Sequence, residues 1–272
     1  MEKDLSERPL LILGMHRSGT SLLTSWLKAC GLFVGDDLMP PGLGNPRGHF
    51  ENRAFVALHR RQLGEDRNWL PGPRPEFATE ARRLLATQAR RDQPWGWKDP
   101  RTCLFAEAWH TLLPEARAVL VFRDPEQVVS SLISRRLAEE QQRRNRLAAW
   151  WNRQFNRIDN DRVADGFLAE WIRYNRAIVQ YLARKEPATY AVTELSAWLA
   201  DETALFNRLT TIMGLPLRFV PLAPLVEKGL LSSRPARTFA FSPELWAEAR
   251  TLYQHLQQLA ASGDGAVGTD YA

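Results

Sequence analysis

The chain has 272 residues, 44% of them hydrophobic and 25% charged, enough apolar side chain for one full α/β core, with no run long enough to span a bilayer. Its 36 basic and 31 acidic residues leave a formal net charge of +5, which suits an anionic ligand, but the signs are interleaved and too nearly balanced to argue for nucleic acid. Cys30 and Cys103 make neither a disulfide framework nor a metal site, and the charged residues 1–8 lack the apolar core of a secretion signal, so the expectation is a cytoplasmic protein without an integral membrane segment.

Leu10–Leu13 is a short apolar run that stops at Gly14, the pattern of a buried strand. Gly19, Thr20 and Ser21 follow, and Leu22, Leu23, Trp26 and Leu27 then recur at helical spacing, which predicts a helix from about Ser18 to Ala29. A glycine-bounded loop between strand and helix aims backbone N–H groups and the positive end of a helix dipole at one anion. The spacing from Gly14 to Gly19 is that of a nucleotide-binding P-loop, but Thr20 stands where its lysine would be, and the cation lies inside the loop at Arg17. Residues 31–48 are rich in glycine and proline and read as a long functional loop. It runs into His49-Phe50-Glu51-Asn52, and Phe55, Val56, Leu58 and Leu63 then mark a helix. A proline-rich link at 70–75 precedes an exposed helix over 78–89.

Lys98-Asp99-Pro100-Arg101 predicts an extended segment entering a turn, with Thr102 capping a helix over Leu104–Leu112. Ala118–Phe122 is the clearest strand. It ends at Arg123, and Asp124 and Pro125 cap and open a helix over Glu126–Ser134. A basic helical stretch follows over Leu137–Arg162, with Trp150 and Trp151 in it, then a helix carrying Phe167, Trp171, Ile178 and Leu182, and a strand at Ala188–Val192. Asp201 caps a helix that runs to Met213 and stops at Gly214, 219–237 is irregular, and Pro243 opens the last helix, to about Leu259. Alternating strands and helices predict a P-loop-like α/β fold in three layers, a mostly parallel sheet between helices with a helical cap. The expected organisation is one domain over 1–261 and a frayed tail over 262–272. Arg17, Lys98 and Arg123 each follow a strand, so the carboxyl ends of the sheet would gather three cations into one anion site.

Arg17-Ser18-Gly19-Thr20 resembles the 5′-phosphosulfate loop of sulfotransferases that use 3′-phosphoadenosine-5′-phosphosulfate (PAPS), in particular the bacterial type. The stretch from Val121 to Leu132 is similar to the segment by which that family holds the 3′-phosphate, with its arginine and serine falling on Arg123 and Ser131. Lys98-Asp99-Pro100 resembles an element in which a lysine assists the group in flight, and Asn45 to Glu51 is similar to a bacterial element ending in glutamate. The resemblance implies that His16, Arg17, Ser18, Gly19, Thr20 and Ser21 surround the phosphosulfate, with His16 shaping the loop. It implies Glu51 as the base that takes the acceptor proton, with His49 as the alternative. Lys228 and Arg234 stand weakly in place of the family's C-terminal clamp, and Leu22 occupies the position of an adenine-stacking tryptophan. The implied reaction moves a sulfuryl group to a hydroxyl or amine of a carbohydrate, lipid or other small molecule and releases the bisphosphate PAP, with no metal required. The resemblance covers about Leu10–Leu132 and is thin beyond. One rival is a P-loop nucleotide kinase-like phosphotransferase, which would need a lysine at Thr20 and a magnesium aspartate; Asp99 and Asp124 are each followed by proline and flanked by cations. The other is a non-enzymatic module binding nucleic acid or an acidic membrane through the basic helix from Arg143 to Arg157, whose bland reading is a solvated helix face.

Overall fold

Strand β1 (Leu10–Leu13) lies inside a four-stranded, all-parallel sheet in the order β2 (Gly96–Lys98), β1, β3 (Arg117–Phe122), β4 (Tyr190–Glu194). These positions come from a computed structural model that describes residues 8–42, 48–63, 73–90, 92–143, 160–226 and 239–262. Every residue of β1, β2 and β3 is buried, as expected of parallel strands covered on both faces. Alternation along the strands divides the core in two. Leu11, Leu13, Ala118, Leu120 and Phe122 face one layer of helices, while Leu10, Ile12, Val119 and Val121 face the other.

The second layer is α1 (Thr20–Ala29), α7 (Leu195–Ala200) and α8 (Glu202–Asn207), which bring Leu23, Trp26, Trp198 and Leu205 to that face. The first layer is larger. It comprises α2 (Arg53–Leu63), α3 (Phe77–Gln88), α4 (Ala106–Leu112), α5 (Pro125–Arg143), α6 (Asn160–Leu182) and α9 (Pro243–Ala261). Its centre is aromatic: Phe55 stacks on Trp97 at 4.3 Å between ring centroids, and Trp97 meets Trp109 at 4.8 Å.

The chain leaves β1 toward β2 on one side and leaves β3 toward β4 on the other. The crevice at the carboxyl ends of β1 and β3 is therefore the point at which strand order reverses, the usual ligand position in such sheets. Gly14 opens this crevice. A Cβ there would lie 2.4 Å from the Val121 carbonyl oxygen, so only glycine lets the loop leave β1 so close to β3.

Several boundaries differ from expectation for local reasons. Pro187 opens a short 3₁₀ turn (Pro187–Thr189), and the ladder begins only where Tyr190 pairs with Ala118, so β4 starts two residues after Ala188. Asp99, not Thr102, caps the turn that follows β2: its Oδ1 accepts the Arg101 N–H at 3.1 Å, and a 3₁₀ segment (Pro100–Phe105) leads into α4. The Asp124 cap is as expected, with the Gln127 N–H at 3.0 Å from its Oδ1, but α5 runs past Ser134 to Arg143. Asp201 does cap α8, which widens into a π turn (Arg208–Ile212) ahead of Gly214 at φ 65°. The basic stretch beyond Arg143, including Trp150, Trp151 and Arg157, lies outside the described residues, as do Asn45 to Arg47, Lys228, Arg234 and the tail from 263. No helix among the described residues is long and apolar enough to cross a membrane.

Candidate active site

The loop between β1 and α1 holds two left-handed residues, Arg17 at φ 69° and Gly19 at φ 95°. Glycine takes this conformation freely, whereas at Arg17 it costs on the order of 1–3 kcal/mol. The arginine is held there from both sides. Its Nε donates to Ser131 Oγ on α5 at 2.8 Å, and Arg123 Nη1, from the end of β3, reaches the Arg17 carbonyl oxygen at 3.5 Å. Arg123 also donates to Gln127 at 2.9 Å. Arg17, Arg123 and Ser131, up to 114 residues apart in sequence, therefore meet in the crevice between β1 and β3.

Between the two left-handed residues sits Ser18, 1% exposed, whose hydroxyl has no hydrogen-bond partner among the described residues. An unmet buried hydroxyl costs about 1–3 kcal/mol, and an anion in the loop would satisfy it. The cations need the same thing. Burial, then the charges of Arg135 and Arg123, draws the Arg17 guanidinium below its ordinary pKa, and burial does the same to Arg123 against the opposing pull of Asp124. Guanidinium groups crowded and stripped of water this way are strongly relieved by a phosphate. The loop, its orphaned hydroxyl and the two arginines fit a phosphate-bearing ligand on chemical grounds.

Lys98 ends β2 and is 1% exposed. Its Nζ donates to Glu51 Oε1 at 2.9 Å and to Ser21 Oγ at 3.2 Å, and Ser21 Oγ donates to the His49 carbonyl at 3.2 Å. Strand β2, helix α1 and the segment before α2 are thereby tied together at one ammonium. Burial lowers the Lys98 pKa while the Glu51 carboxylate opposes the change. Glu51 Oε2 has no hydrogen-bond partner among the described residues, which leaves one oxygen able to take a proton. His49 is half-buried, and burial lowers its pKa. His16, half-buried beside the loop with its ring 6.0 Å from Tyr174, is drawn down to about 3 by desolvation and then by Arg101, so it is neutral at ordinary pH.

One cluster was not anticipated from the sequence. His59 on α2 is fully buried, and its Nδ1 lies 2.8 Å from Asp99 Oδ2. Trp109 Nε1 can only donate, and it donates to His59 Nε2 at 3.0 Å, which leaves Nδ1 as the ring nitrogen that donates to Asp99. Asp99 Oδ1 accepts from Arg101 Nη1 at 2.7 Å. Burial alone would push the Asp99 carboxyl up, but the His59 hydrogen bond and the charge of Arg101 outweigh it and hold the group well below the usual carboxylate range. The residue that follows Lys98 is thus clamped by two side chains and its own turn. The available signal was a histidine on the apolar stripe of α2, beside Phe55, Val56 and Leu58. Among the described residues no group of three His, Cys, Asp or Glu side chains could hold a metal ion.

Among the solved structures that share the fold are three sulfotransferases. A sulfotransferase from Alicyclobacillus acidocaldarius aligns with TM-score 0.52 and 16% identity over 93% of this chain and 96% of its own. The sulfotransferase domain of the Synechococcus PCC 7002 olefin synthase aligns with TM-score 0.51 and 18% identity over 94% of each chain. The sulfotransferase domain from the curacin biosynthetic pathway gives 0.50 and 13% over 92% of this chain and 97% of its own. No curated protein matches the sequence. The model of the sulfotransferase family matches residues 9–181, which is more than half of the chain and includes Arg17, Glu51, Lys98, Arg123 and Ser131. The chain belongs to the sulfotransferase family.

Proposed function

We propose that the protein transfers the sulfuryl group of PAPS to an acceptor hydroxyl and releases PAP. The observation that carries this reading is the meeting of Arg17, Arg123 and Ser131 at the switch point of the sheet, around a buried loop with an unsatisfied Ser18 hydroxyl. In this reading the loop amides, Ser18, Thr20, Ser21 and Arg17 hold the 5′-phosphosulfate, and Arg123 with Ser131 holds the 3′-phosphate. His16 walls the loop as a neutral ring. Lys98 faces the transferring oxygens and Glu51 takes the acceptor proton, with His49 as the second candidate. The acceptor oxygen forms a bond to sulfur as the sulfur–oxygen bond to the donor phosphate breaks, and the bonding pair leaves with PAP. The moving SO₃ carries less negative charge than a phosphoryl group, so fixed cations suffice to stabilise the transition state. The acceptor is a small molecule or carbohydrate, and nucleic acid is not a substrate. A kinase-like alternative has only the Gly14 to Gly19 spacing in its favour.

The test is transfer from sulfate-labelled PAPS to a panel of phenols, sugars and lipid alcohols, with PAP followed by chromatography. Label should enter an acceptor in step with PAP release, and Arg17→Ala should lower the rate about 10²- to 10³-fold, as for loss of a donor aimed at developing charge. PAP release without labelled product in any acceptor, or an unchanged rate in the variant, would overturn the reading.

A further inference from the structure

Beside the loop lies a cleft of about 1490 Å³, larger than a pocket for one drug-sized molecule. His16 and Arg101 line it; the Glu51 carboxylate is among the charges acting on Arg101, and Lys98 is among those acting on His16, so the cleft adjoins the reacting groups. Its walls come from helices α2, α3, α5 and α6. Besides Arg101 they carry Arg60, Arg61, Arg74, Arg135, Arg136 and Arg173, against Glu76, Glu80, Glu139 and Glu170 among the described residues.

Part of this charge is compensated within the cleft. Arg61 pairs with Glu80 at 3.2 Å and Arg135 with Glu139 at 2.7 Å, and Arg101 is held by Asp99. Among the described residues the balance is still positive. The side chains of Arg60 and Arg74 have no ionic partner among the described residues, and the Arg74 backbone N–H is fixed to Gln62 at 3.0 Å. Leu63, Leu132, Phe167 and Tyr174 add an apolar and aromatic floor. The cleft's field reaches the loop, since Arg135 is the leading charge acting on Arg17. An uncharged alcohol would accept hydrogen bonds from these guanidiniums but gain nothing from their net charge, whereas a second anion beside an anionic donor needs that charge to offset the repulsion between the two.

We infer that this cleft receives the acceptor and that the acceptor is itself an anion, a hydroxyl compound carrying a carboxylate or phosphate on an apolar or sugar body. The inference rests on the sulfotransfer reading above and deepens it. The transferred bond is the same, and the Glu51 carboxylate still takes the hydroxyl proton; the cleft arginines hold the acceptor's other, charged end.

The test is calorimetric titration of the PAP-saturated protein with matched pairs, 4-hydroxyphenylacetate against its methyl ester and glucose 6-phosphate against glucose. The charged member of at least one pair should bind at least about tenfold more tightly, and less so as salt rises. The two pairs separate carboxylate from phosphate. In Arg60→Gln/Arg74→Gln, both exposed positions, that preference should fall about tenfold while PAP affinity stays the same. Equal binding of charged and neutral members, no binding of any member, or a preference that survives the double substitution would overturn the inference. Failure of PAP itself to bind would count against the donor reading instead, and the same titration without PAP would then decide the cleft.

Discussion

The crevice between β1 and β3 and the cleft beside it are both lined with arginine, but they treat the charge differently. In the crevice Arg17 and Arg123 are largely buried, Arg17 tied to Ser131 and Arg123 to Gln127 and the Arg17 carbonyl, and both are drawn below their ordinary pKa by burial. In the cleft Arg60, Arg61, Arg74 and Arg136 are exposed and keep most of their water. The first arrangement is preorganised, its cations already desolvated and aimed, so a fitting anion gains charge-assisted bonds at little further cost. The second offers a field with little fixed geometry, and it suits a charged partner whose exact shape is less constrained.

The largest effect is expected at the buried ion pair beside the crevice. Lys98→Ala leaves Glu51, 8% exposed, without its ammonium partner. Breaking a buried pair on one side costs about 3–5 kcal/mol, and thermal denaturation should show it as a marked fall in Tm. Lys98→Met/Glu51→Gln should recover most of that stability while transfer stays at least about 10³-fold down, because both the proposed cation and the proposed base are gone. A double variant that regained transfer along with stability would make the pair structural only.

A smaller effect is expected from acid. The Asp99 carboxyl is held below its unfolded value, so its stabilisation is present above about pH 4 and is lost as pH falls toward the folded value. His16 acts in the same direction by the opposite charge: it stays neutral in the fold down to about 3, while the unfolded chain takes up its proton from about 6.5 downward. Tm should therefore fall steadily as pH drops from about 6.5, and His16→Gln should flatten the part of that slope above about pH 4. An unchanged slope in the variant would show that His16 is hydrated enough to titrate normally.

How much of this was legible in the sequence depends on the distance between partners. The strand at Leu10–Leu13, the glycine-bounded loop, the strand ending at Arg123 and the Asp124-Pro125 helix start are local patterns, and the parallel sheet follows from their alternation. Topology then brings Arg17 to Arg123, because loops after adjacent parallel strands share one end of the sheet. The Lys98 bond to Glu51 spans 47 residues and the His59 bond to Asp99 spans 40. Nothing in periodicity or spacing joins such partners. His59 reads as one more residue on a buried helical stripe until Trp109 and Asp99 are seen at its two nitrogens. The cleft was hidden for another reason. Arg60, Arg74 and Arg135 are ordinary surface charges along their own helices or loops, and they add up only when α2, α5 and α6 are assembled.

The most direct test of the account is whether the protein reads the 3′-phosphate with Arg123. PAP and 5′-AMP, which differ by that phosphate, should be titrated into the wild type and into Arg123→Gln. PAP should bind the wild type about 10- to 100-fold more tightly than 5′-AMP, and the substitution should remove most of that difference while leaving 5′-AMP affinity nearly unchanged. Equal affinity of PAP and 5′-AMP for the wild type, or a difference that survives Arg123→Gln, would contradict the account.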